Sequence, residues 1–133
     1  MGFLFIWLWL KWKGTFVESA IGKIRQIVNN VKYSKGNILV VCPTYTCARD
    51  LFYGVFAYDL NWQWMLYPRE RLATSHYYAR VTFIAKDQFI STIGSEYSGI
   101  IVVGSQEGLD LSFLLSRLRY KTTYEPFLKF VQL

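Results

Sequence analysis

Tyr97-Ser98-Gly99-Ile100-Ile101-Val102-Val103-Gly104-Ser105-Gln106-Glu107 is the stretch on which the reading of this chain turns. Residues 100–103 are apolar and β-branched at every position, with a glycine on either side. A strand with one face in water alternates apolar and polar; a run without alternation is buried on both faces, as in a parallel sheet covered by helices. A second such run, Ile38-Leu39-Val40-Val41-Cys42, is halted by Pro43.

Around these two runs the hydrophobic period becomes helical. Ala20, Ile24, Ile27, Val28 and Val31 fall on one stripe, with Ser19 as a helix cap and Ser34–Asn37 as the exit. Thr44 or Thr46 can cap a second helix striped by Ala48, Leu51, Phe52, Val55 and Phe56. Leu111, Leu114, Leu115 and Leu118 stripe a last one. Short strands are expected near 63–67, at 81–84 and at 127–133, with a loop from Pro68 to His76 and a short helix at 87–93. Helices alternating with doubly buried strands predict an α/β fold: a three-layer sandwich around a mostly parallel central sheet. With 133 residues the chain is read as a single domain able to bury its own core.

The composition, 53% hydrophobic and 18% charged, excludes a disordered chain. Five Trp, ten Tyr and ten Phe exceed what a core of this size buries, so some rings are expected on the surface, against nucleic acid, lipid, a partner protein or a second copy of the chain. The net charge of +6 favours polyanionic partners. Lys11, Lys13, Lys23, Arg25, Lys32 and Lys35 face only Glu18 within residues 1–37. Cys42 and Cys47 stand alone, without the second pair or histidine cluster that a zinc site needs, and fit a reducing compartment.

Residues 1–13 form a distinct segment. Phe3-Leu4-Phe5-Ile6-Trp7-Leu8-Trp9-Leu10, followed by Lys11-Trp12-Lys13, is far shorter than the roughly 20 residues that span a bilayer. It also lacks the flanks of a signal peptide. A buried or partner-covered strand is expected; the rival is an interfacial membrane anchor.

The order and wording of these elements resemble the ATPase core of tailed-phage terminase large subunits, a P-loop NTPase family, and more loosely helicases. Ile38-Leu39-Val40-Val41-Cys42-Pro43-Thr44-Tyr45, followed by Ala48-Arg49-Asp50-Leu51-Phe52, is similar to that core's second strand and helix. Arg80–Ile84 and then Gly94-Ser95-Glu96-Tyr97 resemble the approach to its acidic strand. Ile100–Glu107 resembles the acidic strand itself, and Leu114–Arg119 the helix after it. The likeness implies a RecA-like, P-loop-type sheet, here in shortened form, and a phosphate loop near Gly22-Lys23.

That loop needs glycines whose backbone N–H groups wrap the phosphates, a lysine for their oxygens and a hydroxyl for magnesium. This chain offers Gly22 and Lys23, with Val17 where the first glycine belongs and Ile24 in place of the hydroxyl. In register, the magnesium-holding aspartate falls on Val103 and the water-activating glutamate on Gly104. Without them hydrolysis of ATP is not expected. His76, beside Ser75, is the chain's one histidine and reads as a surface or packing residue. No catalytic residue and no metal ligand is assigned.

The resemblance therefore implies a viral or phage terminase-like domain with degenerate nucleotide motifs. It would bind nucleic acid or a viral assembly protein during DNA packaging or replication, in the host cytoplasm or the virion. The expected nucleic-acid contacts are Lys23, Arg25, Arg49, Arg117 and Arg119, with Trp62 and Trp64 as stacking surfaces. Two rivals stand beside it: a packaging subunit that still holds ATP at Gly22 and Lys23, and a membrane-associated structural protein anchored by residues 3–13.

Overall fold

The computed structural model describes residues 15–57, 63–88, 95–119 and 124–133. The N-terminal segment, Trp62 and most of the helix expected at 87–93 lie outside them. Within the described residues the elements run α1 (Thr15–Val31), β1 (Asn37–Cys42), α2 (Tyr45–Phe56), β2 (Trp64–Tyr67), β3 (Leu72–Ser75), β4 (Arg80–Ala85), β5 (Gly99–Val103), α3 (Leu111–Ser116) and β6 (Phe127–Val131). The six strands form one sheet in the order β2-β3-β4-β1-β5-β6.

The two apolar runs are neighbours and run in the same direction. β1 pairs in parallel with β5, Ile38 opposite Gly99 and Val41 opposite Val102. On its other side it pairs in parallel with β4, Ile38 opposite Val81 and Cys42 opposite Ala85. β6 adds in parallel to β5. Residues 38–42 and 99–103 are buried throughout, as strands with sheet on both sides must be when both faces are covered.

Because side chains alternate across a strand, each run feeds two cores. Ile38, Val40 and Cys42 point into the core shared with Ala20, Ile24 and Val28 of α1 and with Ala48, Leu51 and Phe52 of α2. Leu39 and Val41 point the other way, with Ile100, Val102 and Leu114 of α3. The first core is aromatic: Phe52 meets Phe83 edge-on at 5.9 Å, and Phe56 packs on Trp64 at 5.3 Å. Where α1 crosses α2, Gly54 lies against Ile21, so that a side chain at 54 would require the Ile21 side chain to move.

The helix caps follow from side-chain chemistry. Thr44 takes the extended conformation of a cap, and its Oγ1 accepts from Cys47 N at 3.1 Å. Asp110 Oδ1 accepts from Ser112 N at 3.0 Å and Phe113 N at 3.3 Å, starting α3. α1 begins at Thr15, so Ser19 lies inside the helix rather than capping it.

The span from Pro68 to His76 differs from the expected loop. It contains β3, which pairs antiparallel with both β2 and β4. Pro68–Arg71 makes the hairpin turn: Glu70 N donates to Tyr67 O and Arg71 N to Pro68 O, both at 3.2 Å, and Arg71 takes a φ of 51°. Its guanidinium then ties the hairpin down, with Nε donating to Phe83 O at 3.0 Å and Nη2 to Gln88 Oε1 at 3.2 Å. The sheet is thus mixed, three strand pairs parallel and two antiparallel.

Candidate functional site

In open α/β sheets ligands sit beyond the carboxyl ends of the parallel strands. At that end β1 leads into Pro43, and β5 runs out through Val103 into Gly104. Val103 is fully buried. Gly104 has φ +79°, and a Cβ built on it would lie 2.9 Å from Pro43 Cγ and 3.3 Å from Leu133 Cδ1. Neither position carries an acid: Val103 is an apolar side chain in the core, and a Cβ at Gly104 would press on the Pro43 ring. Glu107, the nearest carboxylate along the chain, stands exposed in the following turn, where its backbone O accepts from Lys86 Nζ at 2.9 Å. Asp110 is committed to its cap. Among the described residues no group of three or more His, Cys, Asp or Glu can hold a metal ion.

Gly22 and Lys23 do not form a phosphate loop. They lie well inside α1, exposed, where backbone N–H groups are spent on helical hydrogen bonds and cannot converge on an anion. An anion-wrapping loop precedes a helix, and this one starts at Thr15.

The other expected contacts scatter. Arg25 is tied to α2, with Nη2 donating to Gly54 O at 2.7 Å and Nε to Val55 O at 3.3 Å. Arg49 lies 3.6 Å from Asp50, and Arg119 lies 3.4 Å from Glu96. Arg117 stacks on Phe113 at 4.6 Å, and its Nε is buried with no hydrogen-bond partner among the described residues. Lys23, Arg25 and Arg49 belong to the helices on one face of the sheet, while Arg117 and Arg119 follow α3 on the other. Trp64 is a core residue against Phe56 rather than a stacking surface.

The structure gathers a different set. A cleft of about 260 Å³ is lined by Lys32, Tyr33, Gln63, Ser75, His76 and Tyr77. Lys32 and Tyr33 precede β1, and His76 and Tyr77 precede β4; since those strands are parallel, the cleft opens at their amino ends, opposite Pro43 and Gly104. Lys32 Nζ donates to Gln63 Oε1 at 2.6 Å, and Gln63 Nε2 donates to the Tyr33 hydroxyl at 3.3 Å. Tyr33 and Tyr77 meet edge-on with ring centres 5.1 Å apart.

The turn that presents His76 and Tyr77 is fixed by a buried hydroxyl. Ser75 Oγ accepts from Tyr77 N at 3.2 Å and from Ala79 N at 3.1 Å, while Tyr78 takes a φ of 66°. Of this set the sequence singles out only His76 with Ser75, and Lys32 as one cation among several. No local motif marks the others, because pairing of β4 beside β1 is what brings them together.

No protein-family model matches the sequence, and a comparison with curated proteins found no match. Its fold is similar to the crystal structure of the HK97 bacteriophage large terminase, with a TM-score of 0.66 at 11% identity. The match covers 84% of this chain and 26% of that one. The fold is thus terminase-like, a mixed α/β arrangement on a mostly parallel six-stranded sheet. Among the described residues, no helix is long and apolar enough to cross a membrane.

Proposed function

We propose that this chain is a non-hydrolysing member of the terminase-like architecture, with a RecA-like three-layer core, that serves as a nucleic-acid-binding module in a viral packaging or replication assembly. The observation that carries the reading is the exit of β5. On a terminase-like fold, the positions read as the two catalytic acids hold a fully buried Val103 and a positive-φ Gly104 pressed against Pro43. A magnesium ion would have no carboxylate there and an attacking water no base. What remains for such a scaffold is binding, and the net charge of +6 favours a polyanion.

The test is fluorescence anisotropy with labelled duplex and single-stranded DNA, alongside a phosphate-release assay with magnesium and ATP. The expected result is binding at about 50 mM salt that weakens steeply toward about 200 mM, through loss of counterion release. No phosphate release above background is expected. Absence of binding at the lower salt sinks the nucleic-acid role in favour of a protein partner, and magnesium-dependent turnover sinks the loss of hydrolysis.

A further inference from the structure

We infer that the cleft between Lys32, Tyr33, Gln63 and the Ser75–Tyr77 turn is a binding site for an unpaired base and its phosphate, and so selects single-stranded over duplex nucleic acid. The inference rests on the nucleic-acid reading above and adds to it where on the surface the strand sits and which form it takes. The cleft combines the two chemistries that a nucleotide presents. Tyr33 and Tyr77 are 57% and 55% exposed, so two aromatic rings in edge-on contact stand together at the surface. Every base has a flat π face, and stacking on such rings is tolerant of sequence.

Beside the rings is a cation. The Lys32 ammonium carries three N–H donors and gives one to Gln63 Oε1. Among the described residues that line the cleft there is no carboxylate. Lys35 and Arg80, both exposed, flank the same end of the sheet and extend the positive charge. In a duplex the bases are stacked and turned inward, so a site that takes one base face needs a strand whose bases can be splayed out.

The site is also built to stay open. Ser75 Oγ holds the 75–79 turn through two backbone N–H groups, and the Lys32–Gln63–Tyr33 chain of hydrogen bonds fixes the opposite wall. Preset walls reduce the ordering cost of binding.

The experiment compares the full chain with Tyr33→Ala/Tyr77→Ala, Tyr33→Phe/Tyr77→Phe and Lys32→Gln, each titrated with single-stranded DNA of about 16 nucleotides and with the matching duplex. Wild type should prefer the single strand. The double alanine variant should lose roughly tenfold or more in single-strand affinity, and the double phenylalanine variant, which keeps the rings, should retain it. Lys32→Gln should weaken binding and lower the slope of log affinity against log salt by about 0.7. Photo-crosslinking of a bromodeoxyuridine-containing strand to wild type should map to the cleft, a readout that does not depend on any variant folding.

Single-strand binding unchanged in the double alanine variant, a preference for duplex, or crosslinks confined to the α1 surface around Lys23 would each overturn the inference and leave the nucleic-acid reading standing. Failure of wild type to bind either form removes both.

Discussion

Pro43 and Gly104 close the carboxyl ends of β1 and β5 against each other, so tightly that a Cβ at Gly104 would stand 2.9 Å from the proline ring. With φ at +79°, position 104 is also in the left-handed region, which costs an L-residue about 1–2 kcal/mol. Gly104→Ala should lower unfolding free energy by at least that amount in urea titration. A neutral Gly104→Ala would show that this junction is loose enough to admit a side chain, and would reopen position 104 as a place for an acid.

Arg25 completes a helix that cannot cap itself. The last carbonyls of an α-helix lack intrahelical partners, and α2 has no basic residue in its final turn. Arg25 supplies both the donors and the positive charge from α1, to Gly54 O and Val55 O. Arg25→Met should cost about 1.5–3 kcal/mol, the range for a hydrogen bond to a charged group. Lys23→Gln, at an exposed site two residues away, should stay within about 0.5 kcal/mol of wild type. Equal effects of the two substitutions on the denaturation midpoint would contradict the capping role.

Cys42 and Cys47 should differ in reactivity. A hydrogen bond with Cys47, reinforced by burial, pushes the Cys42 thiol far above its ordinary pKa, outweighing the lowering by Arg71. Only thiolates attack alkylating agents, so Cys42 should stay unmodified by iodoacetamide in the native protein at about pH 8 and react once urea is added. Peptide mass spectrometry that finds both cysteines labelled at the same rate before unfolding would refute this.

Tyr97 should make the fold alkali-sensitive. Burial raises its phenol above the ordinary value of 10.0, and the hydrogen bond with Ser95 and the charges of Arg117 and Arg80 only partly oppose that. The unfolded chain therefore ionises first. The stability contributed by neutral Tyr97 is fully present below about pH 10 and is lost as pH rises toward and through the folded value. Tyr97→Phe has no proton to lose, so its melting temperature should fall less than that of wild type between about pH 9 and 11. Parallel declines would show that Tyr97 is not the group concerned.

The parts of the fold that were legible are those where burial writes itself into consecutive residues. β1 and β5 announce themselves because every position is apolar, and α1 and α2 because their buried residues recur at the helical period. β3 is silent: Leu72-Ala73-Thr74-Ser75 has only its second and fourth positions buried, and its place is set by hydrogen bonds to β2 and β4 rather than by its own hydrophobicity. The expected nucleic-acid cations were legible as charges but not as a surface. Whether Arg25 faces solvent or the end of a neighbouring helix depends on how α1 crosses α2, which residue type does not encode.

The amino-acid sequence by itself determined that β1 and β5 are buried on both faces, that helices cover them, and that no acid stands at Val103 or Gly104, because each of these is a property of residues adjacent in the chain. The tertiary structure alone decided that Arg25 caps α2, and that Lys32, Tyr33, Gln63, His76 and Tyr77 share one cleft. Those outcomes depend on parallel pairing of β4 beside β1 and on the path of α1 across the sheet, contacts between residues about 30 or more positions apart, whose closure depends on the packing of the whole core rather than on any local pattern.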